Sequence, residues 1–200
     1  MKKTLLLTLW FTLGISAFAA GDEDGATTES VAARYSAVID QRATKIAQSL
    51  GLNDTNTLAR VHDIIMGQYR ALNDWHSTND PKIKAARHDA AALADIRASL
   101  KALHDAYLAR LAGYLSPAQM EQVKDAMTYG KVQFTFNGYC SQYPGLSEIN
   151  KAAILKMLKD AREEAMDAGS AKDKTSVFQR YKGRINNYLS KQGIIPDKKK

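Results

Sequence analysis

The sequence predicts an all-α fold, an irregular bundle of about six helices with one long central helix, and three observations predict it. Apolar residues recur at three- and four-residue steps through most of the 200-residue chain. Capping residues stand at the ends of those stripes. The one stretch that alternates like a strand has no second strand to pair with.

Before the first helix lie two segments of another kind. Lys2 and Lys3 precede an uncharged run from Thr4 to Phe18 that closes on Ala17-Phe18-Ala19, the pattern of a secretory signal peptide over 1–19, cut after Ala19. The run is shorter than the roughly 20 residues that a spanning helix needs. Nothing downstream is apolar enough to cross a bilayer, so no transmembrane segment is expected once the signal is removed. Residues 20–29 are small and acidic and read as a flexible lead-in. A single helical domain is expected over 30–195 and a basic tail over 196–200. The expected location is periplasmic or secreted.

Val31, Tyr35, Val38, Ile39, Ile46 and Leu50 make the stripe of a first helix, with Gly51 placed for a left-handed C-terminal cap. Asn53 or Asp54 caps a second, whose stripe runs Leu58, Val61, Ile65, Tyr69, Leu72 and Trp75 until Asn79-Asp80-Pro81 stops it. Asp80-Pro81 also suits the start of a third helix, since proline at the first position loses only an N–H that had no partner. From Ile83 to Leu111 one apolar face persists, giving a central helix about 45 Å long at 1.5 Å per residue.

Ser116-Pro117-Ala118-Gln119 has the spacing of a capping box and opens a fourth helix. Between Lys131 and Tyr143, Val132, Phe134 and Phe136 alternate while Gly138 interrupts, so this segment is expected as a loop or irregular helix packed by its aromatics. Ser147 caps a further helix with Ile149, Ile154, Met157, Leu158, Ala161 and Ala165 inward. A last one spans about 174–190, with Val177, Phe178, Tyr181, Ile185, Tyr188 and Leu189 as its face.

Composition narrows the chemistry. The chain carries 28 basic and 21 acidic residues, a net +7 that falls by two charges when the signal is removed. The cations are spread among acids and form no basic face, so nucleic acid is not an expected partner. Cys140 is the lone cysteine, which precludes an intrachain disulfide and suits a small buried hydrophobe. His62, His76, His88 and His104 each lack a second His or Cys one helical turn away, so neither metal nor cofactor is expected.

One segment asks for a functional reason. Gly183 lies inside the last helix, where it costs about 1 kcal/mol against alanine, among Lys182, Arg184, Asn186, Asn187 and Tyr188. A close helix crossing over Gly183 would explain it, and so would a polar recognition surface. Gln68 and Asn73, interleaved with Tyr69 and Trp75, form a second polar set of the kind that meets a sugar's hydroxyls while rings cover its C–H faces.

Three stretches carry a resemblance: Gln68-Tyr69-Arg70-Ala71-Leu72-Asn73 with Arg60-Val61-His62-Asp63; Val123 to Gly130; and Ala161 to Ser170 with Lys182 to Leu189. In them the chain resembles a family of exported bacterial proteins of unknown function described as sugar-binding. That resemblance implies a carbohydrate partner, and it assigns no catalytic residue. The candidate ligand-binding set is Tyr129, Asp167, Lys182, Arg184, Asn186, Asn187, Tyr188, Gln68 and Asn73.

The expected function is therefore a non-catalytic glycan-binding or glycan-utilisation accessory protein. A periplasmic chaperone-like or stress-responsive interaction protein is one alternative. A glycan-active enzyme using a carboxylate pair drawn from Asp63, Asp125, Glu163 and Asp167 is the other. Should these acids instead stand against Arg60, Arg162, Lys182 or Arg184 in buried ion pairs, they are the polar framework of the bundle, and at least one such pairing is expected.

Overall fold

The computed structural model describes residues 28–195 as seven helices, with no strand among them. The signal sequence, most of the lead-in and the basic tail lie outside the described residues. Helix α1 spans Thr28–Ser49, beginning two residues before the expected Ser30, and α2 spans Thr55–Ala85 behind an Asp54 cap. The Asp54 carboxylate accepts from the Thr57 amide at 2.8 Å. Helices α3 (Ala90–Ala112), α4 (Pro117–Met127), α5 (Lys131–Gln142), α6 (Glu148–Met166) and α7 (Ala171–Lys191) complete the bundle.

Three expectations give way. Helix α2 does not stop before Pro81 but carries it inside and runs on to Ala85, which makes it the longest helix at 31 residues. The chain turns instead at residues 86–89, where Asp89 accepts from the amides of Ala91 and Ala92 at 3.1 and 3.0 Å. Of two competing start signals, the Asp89 cap forms, while Asp80 stays inside α2 and accepts from His76 Nδ1 at 2.9 Å. Residues 131–142, expected as a loop or irregular helix, form α5, because Val132, Thr135 and Tyr139 fall on one buried helical face while Phe134 turns outward, 79% exposed. Ile149, expected inward, sits in the first turn of α6 and is likewise 79% exposed. The capping box at Ser116 and Gln119 forms as its spacing requires.

The apolar side chains gather into two clusters. The first joins α1, α2, the C-terminal half of α3 and α4 around Ile39, Val61, Ile65, Tyr107, Leu111 and Met127. The second joins α5, α6 and α7 around Tyr139, Ile154, Leu158, Phe178, Ile185 and Leu189. Each fully buried aliphatic side chain contributes about 1.5–3 kcal/mol. Between the clusters runs a polar seam, crossed by Met166 of α6, which belongs to the first cluster.

The seam is built around Arg162, 2% exposed, whose guanidinium donates to Asp125 at 2.7 Å, Glu121 at 2.8 Å and Glu163 at 3.2 Å. Lys124 also donates to Glu163, at 2.9 Å. This is the expected pairing of acids with Arg162, and it fastens α6 to α4. A buried guanidinium needs such partners, and here its two terminal nitrogens have them while Nε–H has none among the described residues.

Candidate functional site

A surface groove of about 740 Å³ lies between α5 and α7. Gln179, Lys182, Gly183 and Asn186 fall at three- and four-residue steps and bring one face of α7 to it. Helix α5 supplies the opposite wall with Phe134, Asn137, Gly138 and Tyr139, extended by Tyr143 at its C-cap. Two glycines thus face each other's helices across the groove, and a Cβ added at either would meet nothing within 4 Å. No described helix crosses over Gly183. Its open position leaves a concave, side-chain-free strip of backbone along the groove.

Tyr139 holds the groove's geometry. Its hydroxyl donates to Asn186 Oδ1 at 2.8 Å, with the Lys182 carbonyl oxygen at 3.2 Å. Burial, reinforced by neighbouring Tyr143, pushes this phenol up to about 12, so it stays a donor at any physiological pH. Occupying Asn186 Oδ1 leaves the amide's N–H groups for another partner. The Tyr139 and Tyr143 rings lie 6.4 Å apart at 24° between planes. The side-chain amides of Gln142 and Gln179 and the Lys182 ammonium make no hydrogen bond to any described residue. The lining therefore combines ring faces with polar groups whose hydrogen-bonding capacity is unspent.

The other candidate residues are distributed elsewhere. Arg184 turns away from the groove and lies over the Tyr181 ring at 4.3 Å. Tyr188 donates to Asn150 Oδ1 at 2.7 Å, tying α7 to α6, and Asn187 is exposed. Gln68, 1% exposed, lies on the inward face of α2 with Ile65 and Leu72, so no surface ligand reaches it. Asn73 is exposed on the same helix. Tyr129 stands at a separate pocket bounded by α1, α2 and α4.

Asp167 occupies a third hollow, of about 350 Å³, between α3 and α6. His104 Nδ1 donates to its carboxylate at 3.0 Å, and His104 Nε2 lies 3.6 Å from Glu163. The Asp167 hydrogen bond, followed by that to Glu163, raises His104 to about 9. Glu163 responds in the opposite sense: burial pushes it up, but His104, Lys124 and Arg162 together hold it at about 2. His76 Nε2 donates to the Asp167 carbonyl at 2.7 Å.

The four acids considered for a carboxylate pair are thus each engaged: Asp63 with His62 at 3.1 Å, Asp125 and Glu163 with Arg162, and Asp167 with His104. Glu163, held ionised, does not serve as a proton donor near neutrality. Among the described residues no group of three or more His, Cys, Asp or Glu is placed to hold a metal ion. No described helix is long and apolar enough to cross a membrane.

The three stretches behind the resemblance do not line one pocket. They border four separate hollows, with Tyr69 of the first stretch and Ala126 and Tyr129 of the second sharing the one beside α1. Sequence reasoning missed the α5 wall altogether, although Phe134, Asn137, Tyr139, Gln142 and Tyr143 already showed the ring-and-amide composition that drew attention to α7.

Fold and hollows define an all-helical protein with two apolar clusters, an ionic seam and an open groove mixing rings with amides. The chain belongs to the family described as "Protein of unknown function (DUF3826)", whose model matches residues 36–200. A search of curated proteins finds no match.

Proposed function

We propose that this protein binds carbohydrate, without transforming it, in the groove between α5 and α7. The observation that carries this reading is the pair of mid-helix glycines, Gly138 and Gly183, neither of which any neighbour requires. Glycine inside a helix costs about 1 kcal/mol each, and what these two gain is space beside exposed Phe134, stacked Tyr139 and Tyr143, and unengaged amides. A pyranose presents hydroxyls that need donors and acceptors and C–H faces that pack on rings. The groove offers both within one concavity. Export through a signal peptide cut after Ala19 is part of the same proposal, placing the protein where glycans are met.

Two observations favour this reading over the alternatives. The exposed large apolar side chains Val31, Val38, Tyr114, Tyr129, Phe134 and Ile149 sit on α1, α5, α6 and two interhelical turns, whereas a chaperone surface gathers them in one patch. Three of the four carboxylates that a glycan-active enzyme would use, Asp125, Glu163 and Asp167, are held in ion pairs along the seam, and Asp63 stands against His62.

Calorimetric titration of the mature chain against neutral oligosaccharides tests the proposal, with Gly183→Leu as the decisive variant. Leucine at 183 has room, improves helix propensity and fills the groove, so the variant is expected to melt no lower than the parent while losing about tenfold or more in affinity. A panel that gives no heat with folded protein, or a Gly183→Leu variant that binds as well as the parent, refutes the groove as a sugar site. Amino-terminal sequencing of the periplasmic fraction is expected to read from Ala20.

A further inference from the structure

On the opposite half of the molecule, α1, α2 and the end of α4 enclose a pocket of about 460 Å³. Arg42 and Lys45, three residues apart on α1, present two cations to it. Neither makes an ion pair or hydrogen bond with any described residue, whereas Arg162, Lys124 and Lys159 in the seam are all paired with acids. Tyr69 lines the pocket from α2, and its hydroxyl likewise has no hydrogen-bond partner among the described residues.

A third cation stands behind Tyr69. Lys174 of α7 is 5% exposed, donates one N–H to the Met127 carbonyl at 2.9 Å and lies 5.7 Å from the centre of the Tyr69 ring. No carboxylate stands within ion-pair distance of it among the described residues. Asp167, the acid whose charge reaches it, is already committed to His104. A buried ammonium with no adjacent counter-ion is unfavourable, and a second cation, Arg42, adds its charge to the same region. The local excess of positive charge is uncompensated by the protein.

The backbone presents a further group there. Tyr129 has φ +61° and Gly130 φ +63°, two successive left-handed residues between α4 and α5. For a tyrosine this conformation costs about 1–3 kcal/mol. It holds the phenol, 51% exposed, at the pocket's mouth beside Ile46 and Ala126.

We infer that this pocket binds a small organic carboxylate with a cyclic body. The guanidinium of Arg42 and the ammonium of Lys45 engage the carboxylate, with the Tyr69 hydroxyl as a further donor, and the ring of the ligand rests against Ile46, Ala126 and Tyr129. A planar carboxylate matches the guanidinium fork, and the apolar wall opposite the cations favours an organic acid over a bare inorganic anion. The site shares no residue with the α5/α7 groove and stands independently of the sugar-binding reading.

Nuclear magnetic resonance titration of the mature chain with benzoate and with glucuronate tests it, against benzyl alcohol, glucose and inorganic phosphate. At least one of the two acids is expected to shift the amide resonances of Arg42, Lys45, Tyr69 and Tyr129, about tenfold more tightly than its uncharged counterpart. Response to benzoate alone identifies a free aryl acid as the class, and response to glucuronate identifies a sugar acid. Arg42→Gln alters an exposed side chain and is expected to leave the fold intact while weakening binding by about tenfold. Silence from both acids, equal binding of the uncharged compounds or of phosphate, shifts confined to Gln179, Lys182 and Asn186, or an unaffected Arg42→Gln variant would each overturn the assignment.

Discussion

Gly169 and Gly183 are both glycines on the C-terminal half, and their surroundings give them opposite meanings. A Cβ on Gly183 would meet open space, whereas one on Gly169 would stand 2.9 Å from Cγ of His76. Cγ is the base of the imidazole and not a flexible tip, so the ring must move as a whole. Moving it breaks the 2.7 Å hydrogen bond from His76 to the Asp167 carbonyl. Gly169→Ala is therefore expected to destabilise by about 1–3 kcal/mol, seen as a lower denaturant midpoint. A variant as stable as the parent would mean that the His76 contact contributes nothing.

At the scale of elements, the α2–α3 hairpin shows which sequence signals are decisive and which yield. Pro81 has no N–H to give the Ser77 carbonyl, yet α2 passes through it because Ile83 is still half-buried beyond it. One turn earlier Asn79 Nδ2 donates to the Trp75 carbonyl at 2.9 Å, and Trp75 Nε1 donates to Ser99 Oγ at 2.9 Å, fastening α2 to α3. Pro81→Ala restores the missing donor and is expected to stabilise by about 1–3 kcal/mol, with slower amide exchange over residues 77–85. Unchanged exchange there would show that the hairpin tip tolerates the proline without cost. The stripe was legible for six of the seven helices and the N-terminal cap for three, α2, α4 and α6. The boundary between α2 and α3 was not, because two plausible starts, Asp80-Pro81 and Asp89-Ala90, stand along one continuous apolar stripe from Ile83 to Leu111.

Across the whole molecule the ionic seam gives stability a definite pH dependence. His104, raised to about 9 chiefly by Asp167, stabilises fully below the unfolded imidazole value near 6.5 and loses that contribution as pH rises through about 9. Glu163, held at about 2, stabilises above the ordinary carboxylate value near 4.5 and loses its contribution as pH falls toward 2. Lys174 acts in the opposite sense to His104. Burial, then Arg42, lowers it to about 8, so its cost is fully present below that pH and is relieved between 8 and the ordinary lysine value near 10.5. The melting temperature is expected to be highest near pH 4.5–6.5, to fall between 6.5 and 8, to level between about 8 and 9 where the His104 loss and the Lys174 gain oppose each other, and to rise again just above 9. His104→Gln should remove the fall between 6.5 and 8, and an identical slope in that variant would place the titrating group elsewhere.

The seam also shows where sequence reading ends. That Arg162 would meet an acid could be expected from composition and from the mixture of charges on α6, but its partners Glu121 and Asp125 come from α4, about forty residues away in sequence. Apolar periodicity and end caps act within a few residues of one another, and so the sequence by itself determined an all-helical chain, the caps at Asp54, Ser116 and Ser147, and the absence of an internal disulfide. Only the tertiary structure decided that α5 is a helix, that Ile149 faces outward, that the charged residues meet in one seam, and that Gly138 and Gly183 open a single groove. The reason is that a helix's own residues settle its stripe, while the partner that stripe meets, and the space left between two helices, depend on contacts between segments far apart in the chain.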